Sequence, residues 1–364
     1  MRHLAPITFG FAAVWTALAP PAAAEPYLAV RTGLNCTSCH VNRTGGGGRT
    51  AYGAGYGSQS LPMFQPAGGE ALFDGSIGER VRIGSDLRGA YVGNLQADGP
   101  YVGEYELNEA TLYLTLELLP DRVTIYADER FAPGGAVNRE AFALVRAGKA
   151  GMYAKVGKFF LPYGLRLQDD EAVTRRFTGF NFNSQDVGLE VGAEAKGWFT
   201  SLAATNGTGG GAETNNGKQL TWTGGWTAKG IRAGLSASHN DLPGDPSRAL
   251  AGAFVGYDTG TLEVLAEVDG IRDDAGAGVT TDSAAGHVEL DWTASRGLLF
   301  RAWVGRYDPD RDGSGDRQTQ RGVGVDWTAW PGVQLRAYYR ERNGPDELAG
   351  ADDDQAVFEL HFYF

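Results

Sequence analysis

From about Glu79 onward, apolar and polar residues alternate with a period of two, in segments of roughly ten residues. In one segment Ala110, Leu112, Leu114, Leu116 and Leu118 share a face, and Glu109, Thr111, Tyr113, Thr115 and Glu117 share the other. Val187, Leu189, Val191 and Ala193 alternate in the same way with Asp186, Gly188, Glu190, Gly192 and Glu194. Leu262, Val264, Ala266 and Val268 do so with Glu263, Glu267 and Asp269, and Val333, Leu335, Ala337 and Tyr339 with Gln334, Arg336, Tyr338 and Arg340. One face suits lipid and the other water, which is the signature of a transmembrane β-barrel. The pattern predicts about sixteen strands, centred near residues 86, 112, 127, 143, 157, 190, 202, 224, 235, 253, 266, 289, 302, 324, 338 and 360. The connections alternate as well. Short turns are expected at 120–122, 195–197, 228–230, 258–260, 295–297 and 330–332. Longer polar loops are expected from Leu95 to Tyr101, Ala132 to Arg139, Pro162 to Gln185, Asn206 to Lys218, Asp241 to Arg248, Asp273 to Ser283, Asp308 to Arg317 and Gly344 to Gln355. Barrels of the bacterial outer membrane pair short periplasmic turns with long outer loops, so this register puts the N-terminal segment and the C-terminus on the periplasmic side.

The segment ahead of the barrel reads differently. Arg2 and His3 precede an apolar run from Leu4 to Ala19, and Ala22-Ala23-Ala24 offers a small-residue cleavage site before Glu25, the layout of a secretory signal peptide over residues 1–24. The run falls short of the roughly 20 residues a spanning helix needs. Residues 25–75 show neither helical nor strand periodicity and contain the glycine run Gly45 to Gly48. About 50 residues bury too little surface to be stable alone, so a cofactor and a sheltering barrel, residues 76–364, are expected to complete their core.

The chain carries 54 Gly among 364 residues, which favours short strands over helices, and only two Cys. In an exported chain two cysteines ordinarily suggest a disulfide. Cys36 and Cys39 are instead followed directly by His40, forming C-x-x-C-H, in which two thiols become thioethers to haem vinyl groups and the histidine ligates iron. The whole reads as an all-β protein: a transmembrane antiparallel barrel of about sixteen strands with a short N-terminal c-type haem segment, one covalent haem per chain.

The sixth iron ligand has two readings. Met63 lies downstream of the motif and could supply a thioether, which raises the potential, against the plainer reading of apolar packing. His361 alternates away from Leu360 and Phe362 and so faces the lumen near the periplasmic end; His287 also points inward, and His239 sits at a loop edge. Arg43 and Arg49 flank the glycine run and could pair with haem propionates. Arg80, Arg82, Arg88, Arg130, Arg301, Arg336 and Arg340 mingle in the lumen with Glu109, Glu117, Glu190, Glu263 and Glu267, a polar interior that either conducts water or cages the haem segment. Asp308-Pro309-Asp310-Arg311-Asp312-Gly313 opens like a calcium loop, but Thr319 stands at its twelfth position, leaving a partial Ca2+ site or a solvated acidic loop. The Asp352-Asp353-Asp354 run adds to that acidic surface, and nothing in the chain marks a nucleic-acid partner.

Arg31-Thr32-Gly33-Leu34, Cys36, Cys39, His40 and Gly55-Tyr56, placed between a signal peptide and a barrel that ends in Phe364, resemble the fused monohaem cytochrome-porins of the bacterial outer membrane. The glycine run and the rather short barrel depart from that family, and Gly157-Lys158-Phe159-Phe160-Leu161-Pro162-Tyr163-Gly164 also looks like a motif of phosphate-selective porins. The resemblance implies one-electron transfer from extracellular Fe(II) to a periplasmic carrier such as a soluble c-type cytochrome, in contact with outer-membrane lipid. A diffusion porin with an accessory haem segment and an outward electron conduit are the alternatives. One C-x-x-C-H and no spare cysteine predict that a denaturing gel stained for haem peroxidase marks the wild-type band and leaves Cys39→Ala blank; a stained mutant band overturns the covalent reading.

Overall fold

The computed structural model describes residues 25–66, 72–95, 99–148, 151–213, 215–244, 246–313, 315–345 and 353–364. The expected signal peptide and Asp352 lie outside the described residues. A two-residue strand, β1 (Ser76–Ile77), folds back on the start of the barrel wall. The wall consists of β2 (Val81–Leu95), β3 (Tyr101–Leu119), β4 (Val123–Ala132), β5 (Val137–Ala147), β6 (Met152–Phe159), β7 (Asp186–Ala195), β8 (Trp198–Thr205), β9 (Gln219–Ala228), β10 (Ile231–Asp241), β11 (Ser247–Asp258), β12 (Leu262–Asp274), β13 (Thr280–Ser295), β14 (Leu298–Asp308), β15 (Gln318–Trp330), β16 (Val333–Asn343) and β17 (Asp354–Tyr363). Successive strands pair antiparallel, and β17 pairs back on β2, from Asp354 opposite Leu95 to Tyr363 opposite Asp86. The result is a closed sixteen-stranded barrel, and each expected strand centre falls in its own strand.

Closure follows from the backbone. A sheet surrounded by apolar solvent has no water to satisfy a free edge, so every strand must pair on both sides. Side chains obey the same division. Leu112, Leu114, Leu118, Val187, Leu189, Val191, Phe358, Leu360 and Phe362 are exposed on the outer surface, whereas Glu109, Thr111, Tyr113, Asp186, Glu190, Glu263 and Glu267 are buried inside. No helix among the described residues is long and apolar enough to cross a membrane.

The strands run further than the alternation alone indicates. β12 reaches Asp274 and β13 starts at Thr280, so the loop expected from Asp273 to Ser283 contracts to 275–279. Arg80, expected in the lumen, lies in the rim turn before β2 and donates to the Leu118 carbonyl at 2.9 Å. The largest departure is the connection from β6 to β7. Expected as an outer loop, it folds inward and buries Phe160, Leu161, Tyr163, Leu165, Leu167, Val173, Phe180 and Phe182, with a short helix, α3 (Val173–Thr178), against the wall at β12, β13 and β14. Its charges explain the direction: Asp169 pairs with Arg340 and Glu171 with Arg342 at 3.0 Å, both partners on β16.

The N-terminal segment occupies the lumen at the short-turn end. Helix α1 (Pro26–Thr32) packs against β9 to β12, and Val30 is fully buried among Leu165, Leu167, Ala172, Phe254 and Leu265. Phe254 lies opposite Glu267 in the ladder, and Leu265 shares the inward face of β12 with Glu263 and Glu267, so both are apolar residues at lumen positions. Gly33 ends α1 with φ +71°, and a Cβ there would stand 2.4 Å from the Lys229 backbone nitrogen; only glycine lets the helix end rest on the turn between β9 and β10.

The glycine run makes a hairpin tip. His40 and Arg49 form an antiparallel bridge, the Val41 N–H donates to the Gly48 carbonyl at 3.0 Å, and Gly45, Gly46 and Gly47 all take positive φ. The Gly48 N–H donates to the Tyr126 hydroxyl at 2.8 Å, and a Cβ on Gly47 would come within 2.5 Å of that same oxygen. The glycine run therefore lets the tip press against the inner wall. Gly47→Val combines this clash with a left-handed backbone costing a branched residue of order 1–3 kcal/mol, at least about fivefold in the population of undocked segment. Limited proteolysis should show residues 25–66 cut correspondingly faster while the barrel keeps its heat-modifiable gel migration; unchanged protection overturns the account.

Candidate functional site

The C-x-x-C-H motif is shaped by a tight turn. Cys36–Ser38 form one turn of 3-10 helix, and the Cys39 and His40 amides both donate to the Cys36 carbonyl, at 3.1 and 2.9 Å. A second support comes from Thr50, whose amide donates to the Cys39 carbonyl at 2.9 Å and whose hydroxyl donates to the Ser38 carbonyl at 2.7 Å. Thr50 also caps helix α2 (Ala51–Gly55), accepting from Gly53, and a Cβ on Gly53 would stand 2.1 Å from the Cys39 oxygen. The Thr37 hydroxyl donates to Glu194 of β7 at 2.7 Å, fixing the turn to the wall.

Two cavities flank His40. The first encloses about 710 Å³, part of it open to solvent, and is lined by Cys36, Cys39, His40, Leu28, Leu34, Tyr52, Tyr56, Arg166 and Arg232. The second, about 670 Å³, is lined by Cys39, His40, Arg49, Tyr56, Leu61, Arg88, His361 and Tyr363. Cys36 and Cys39 are free thiols, and burial with the neighbouring Cys36 pushes the Cys39 thiol up. Burial and then Arg49 push His40 down to about 4, so the ring is neutral, the form that binds metal. Its Nδ1 is buried without a hydrogen-bond partner among the described residues. Two thiols and a neutral imidazole on one cavity are the donor set a c-type haem requires, and the residues present fit that group.

The other expected residues divide. His361 is buried on the lumen face of β17 and lines the second cavity with His40. Met63 lines neither cavity: it sits at the rim, its amide donating to the Thr328 carbonyl at 2.9 Å and its carbonyl accepting from Arg296 at 3.2 Å. Arg49 is in the second cavity, 3.4 Å from Asp86 and over the Tyr363 ring. Arg43 lies 3.7 Å from Glu194 and over Tyr153. His287 is buried in the lumen 3.7 Å from Glu289, and His239 is exposed beside Asp241. In the acidic loop Asp308 pairs with Arg317 at 2.8 Å and Asp310 accepts from the Asp312 amide at 3.0 Å. Among the described residues no three His, Cys, Asp or Glu side chains converge as a metal site.

Sequence reasoning missed Arg166 and Arg232. Arg166 comes from the inward connection and donates to the Gly45 carbonyl at 2.7 Å; Arg232 comes from β10 and lies over Phe199. Neither carries a local signal. A signal did exist for the docked segment, in Phe254 and Leu265: apolar residues at lumen positions suit a packed interior rather than water.

No protein-family model matches the sequence, and no curated protein matches it. Solved structures do resemble the fold. OmpT, an outer membrane protein of Vibrio cholerae, is 13% identical with TM-score 0.61, over 78% of this chain and 99% of its own. An anion-selective porin from Comamonas acidovorans is 9% identical with TM-score 0.62, over 78% and 99%. Salmonella typhi OmpF, solved with daunomycin, is 13% identical with TM-score 0.62, over 80% and 99%. At these identities the likeness is one of fold: this chain has the porin-like barrel architecture.

Proposed function

We propose that the chain is an outer-membrane electron-transfer protein, in which Cys36 and Cys39 hold one haem by thioethers and His40 ligates its iron inside the barrel. The supporting observation is that the C-x-x-C-H segment is folded into the lumen, where Cys36, Cys39 and His40 share cavities with Arg166 and Arg232 and with Arg49, Arg88 and His361. A bound haem supplies a one-electron iron couple. The chain's own residues do the rest. The apolar band of such a barrel is about 25 Å tall, so a redox site partway through divides an otherwise long crossing. Arg166, Arg232 and Arg49, which line the cavities, offer positive charge to propionate groups. The inward connection and α1 fill the lumen and exclude solute. Asp308, Asp310 and Asp312 at the long-loop end raise the local concentration of a divalent cation. With short turns and N-terminal segment periplasmic, the resemblance to fused cytochrome-porins points to extracellular Fe(II) as donor and a soluble c-type cytochrome as acceptor.

A diffusion porin is the second reading, favoured by the likeness to the anion-selective porin and OmpF. Two measurements separate them. In a planar bilayer the full chain is expected to conduct far less than an open porin, because the segment and the connection fill the lumen. In oriented liposomes, ferrous ion added at the long-loop side is expected to reduce the haem optically, with Cys36→Ala as control. A large steady conductance in a chain without covalent haem favours the porin; reduction only from the short-turn side favours an outward conduit.

A further inference from the structure

We infer that His361 is the second axial ligand of the haem, so that iron is held by the plug on one side and by the barrel wall on the other; this rests on the haem reading above. Among the residues lining the two cavities that flank His40, His361 is the one other side chain bearing an imidazole or a thioether. Met63, equally available by sequence, is held at the rim by its backbone bonds to Thr328 and Arg296.

The surroundings of His361 are those of a ligand in waiting. A metal-bound histidine usually keeps its second ring nitrogen on a carbonyl or carboxylate, which fixes tautomer and orientation. Nδ1 of His361 lies 3.1 Å from the Gln334 Oε1, which supplies that partner. Nε2 lies 2.6 Å from Asp86 Oδ1 and would leave it on turning to iron. A buried carboxylate stripped of its partner is costly, but Asp86 also accepts from the Tyr113 hydroxyl at 2.5 Å and lies 3.4 Å from Arg49. Exchange of the Asp86 bond for an iron bond therefore strands no charge. The position is also rigid. His361 pairs with Gln334 of β16 on one side and Arg88 of β2 on the other, so the ladder holds the ring's backbone from both directions.

Coordination from β17 also joins the segment to the wall through the haem, adding to the hydrogen bonds from Arg49 to the Phe364 carbonyl at 3.5 Å and from the Tyr363 hydroxyl to the Gly57 carbonyl at 3.3 Å. It further predicts a lower potential than a methionine-ligated haem would have, since the thioether is the ligand that raises it.

The test is spectroscopic and uses the full haem-bearing chain. Wild type is expected to be low-spin in both oxidation states, without the long-wavelength sulfur-to-iron band. His361→Ala should become high-spin, bind carbon monoxide rapidly when reduced, and return to low-spin on adding imidazole. His361→Met should stay low-spin while gaining the sulfur band and a higher potential, which guards against a variant that merely misfolds. Met63→Ala should leave the spectrum unchanged. Retention of the wild-type spectrum by His361→Ala, or its loss in Met63→Ala, overturns the assignment. Haem staining of the same preparations keeps the two readings apart: a stained wild type with the wrong ligand defeats only this inference, and an unstained wild type defeats the haem reading with it.

Discussion

A charge folded into the interior of this barrel must find its partner there, and the rest of the molecule is arranged around that requirement. Strands that turn their apolar faces to lipid turn Glu109, Glu190, Glu263, Asp291 and Asp326 inward, where an unpaired ion costs several kcal/mol. Much of the pairing is between neighbouring strands: Lys155 with Glu190 at 2.9 Å, Arg301 with Asp291 at 2.8 Å, Arg336 with Asp326 at 2.9 Å; Arg139 of β5 reaches past β4 to Glu109 of β3. Some of it is not. Glu263 pairs with Arg31 of α1, Arg301 reaches Glu25 at 3.1 Å, and Lys155 reaches Asn42 at 3.2 Å. The N-terminal segment is thus part of the charge network of the lumen rather than a guest within it.

Hydrophobic burial sets where along the lumen that network closes. Val30 meets Phe254 and Leu265, apolar residues of the inner face, and this places α1 beside the turn of Lys229 and Gly230. Downstream, the hairpin tip is fixed by Gly48 on Tyr126 and by Asn42 on Glu140. Cys36, Cys39 and His40 lie between these two anchors. Their position follows from residues with no redox chemistry of their own, which is why the tight turn at Cys36 needs only Thr37 and Thr50 to orient it.

The barrel was legible in the sequence because lipid imposes a strict period of two, and a strand in register cannot hide which face is which. The motif was legible because its chemistry depends on adjacency in the chain. The inward connection was not. Its Arg166, Asp169, Asp170, Glu171 and Arg175 read as a solvated loop when taken in order along the chain; only in the fold do Asp169 and Glu171 meet Arg340 and Arg342 of β16, Arg166 the Gly45 carbonyl of the hairpin tip, and Asp170 and Arg175 each other. The placement of Met63 and His361 has the same cause. Met63 lies much nearer the motif in sequence, yet the closure of β17 on β2 brings His361, more than three hundred residues from His40, to the same cavity.

The likeness to porins carries its own limit. The solved barrels are matched over 99% of their length by 78–80% of this chain, so roughly a fifth of it has no counterpart in them. A barrel wall specifies a lumen and leaves its contents open: the same alternation serves an aqueous channel when inward residues are solvated and a filled interior when they are paired and packed. In this chain Phe254, Leu265, Tyr126 and Glu140 receive protein instead of water. The chemistry must therefore be argued from what the wall encloses, and there the two thiols and the imidazole share one cavity.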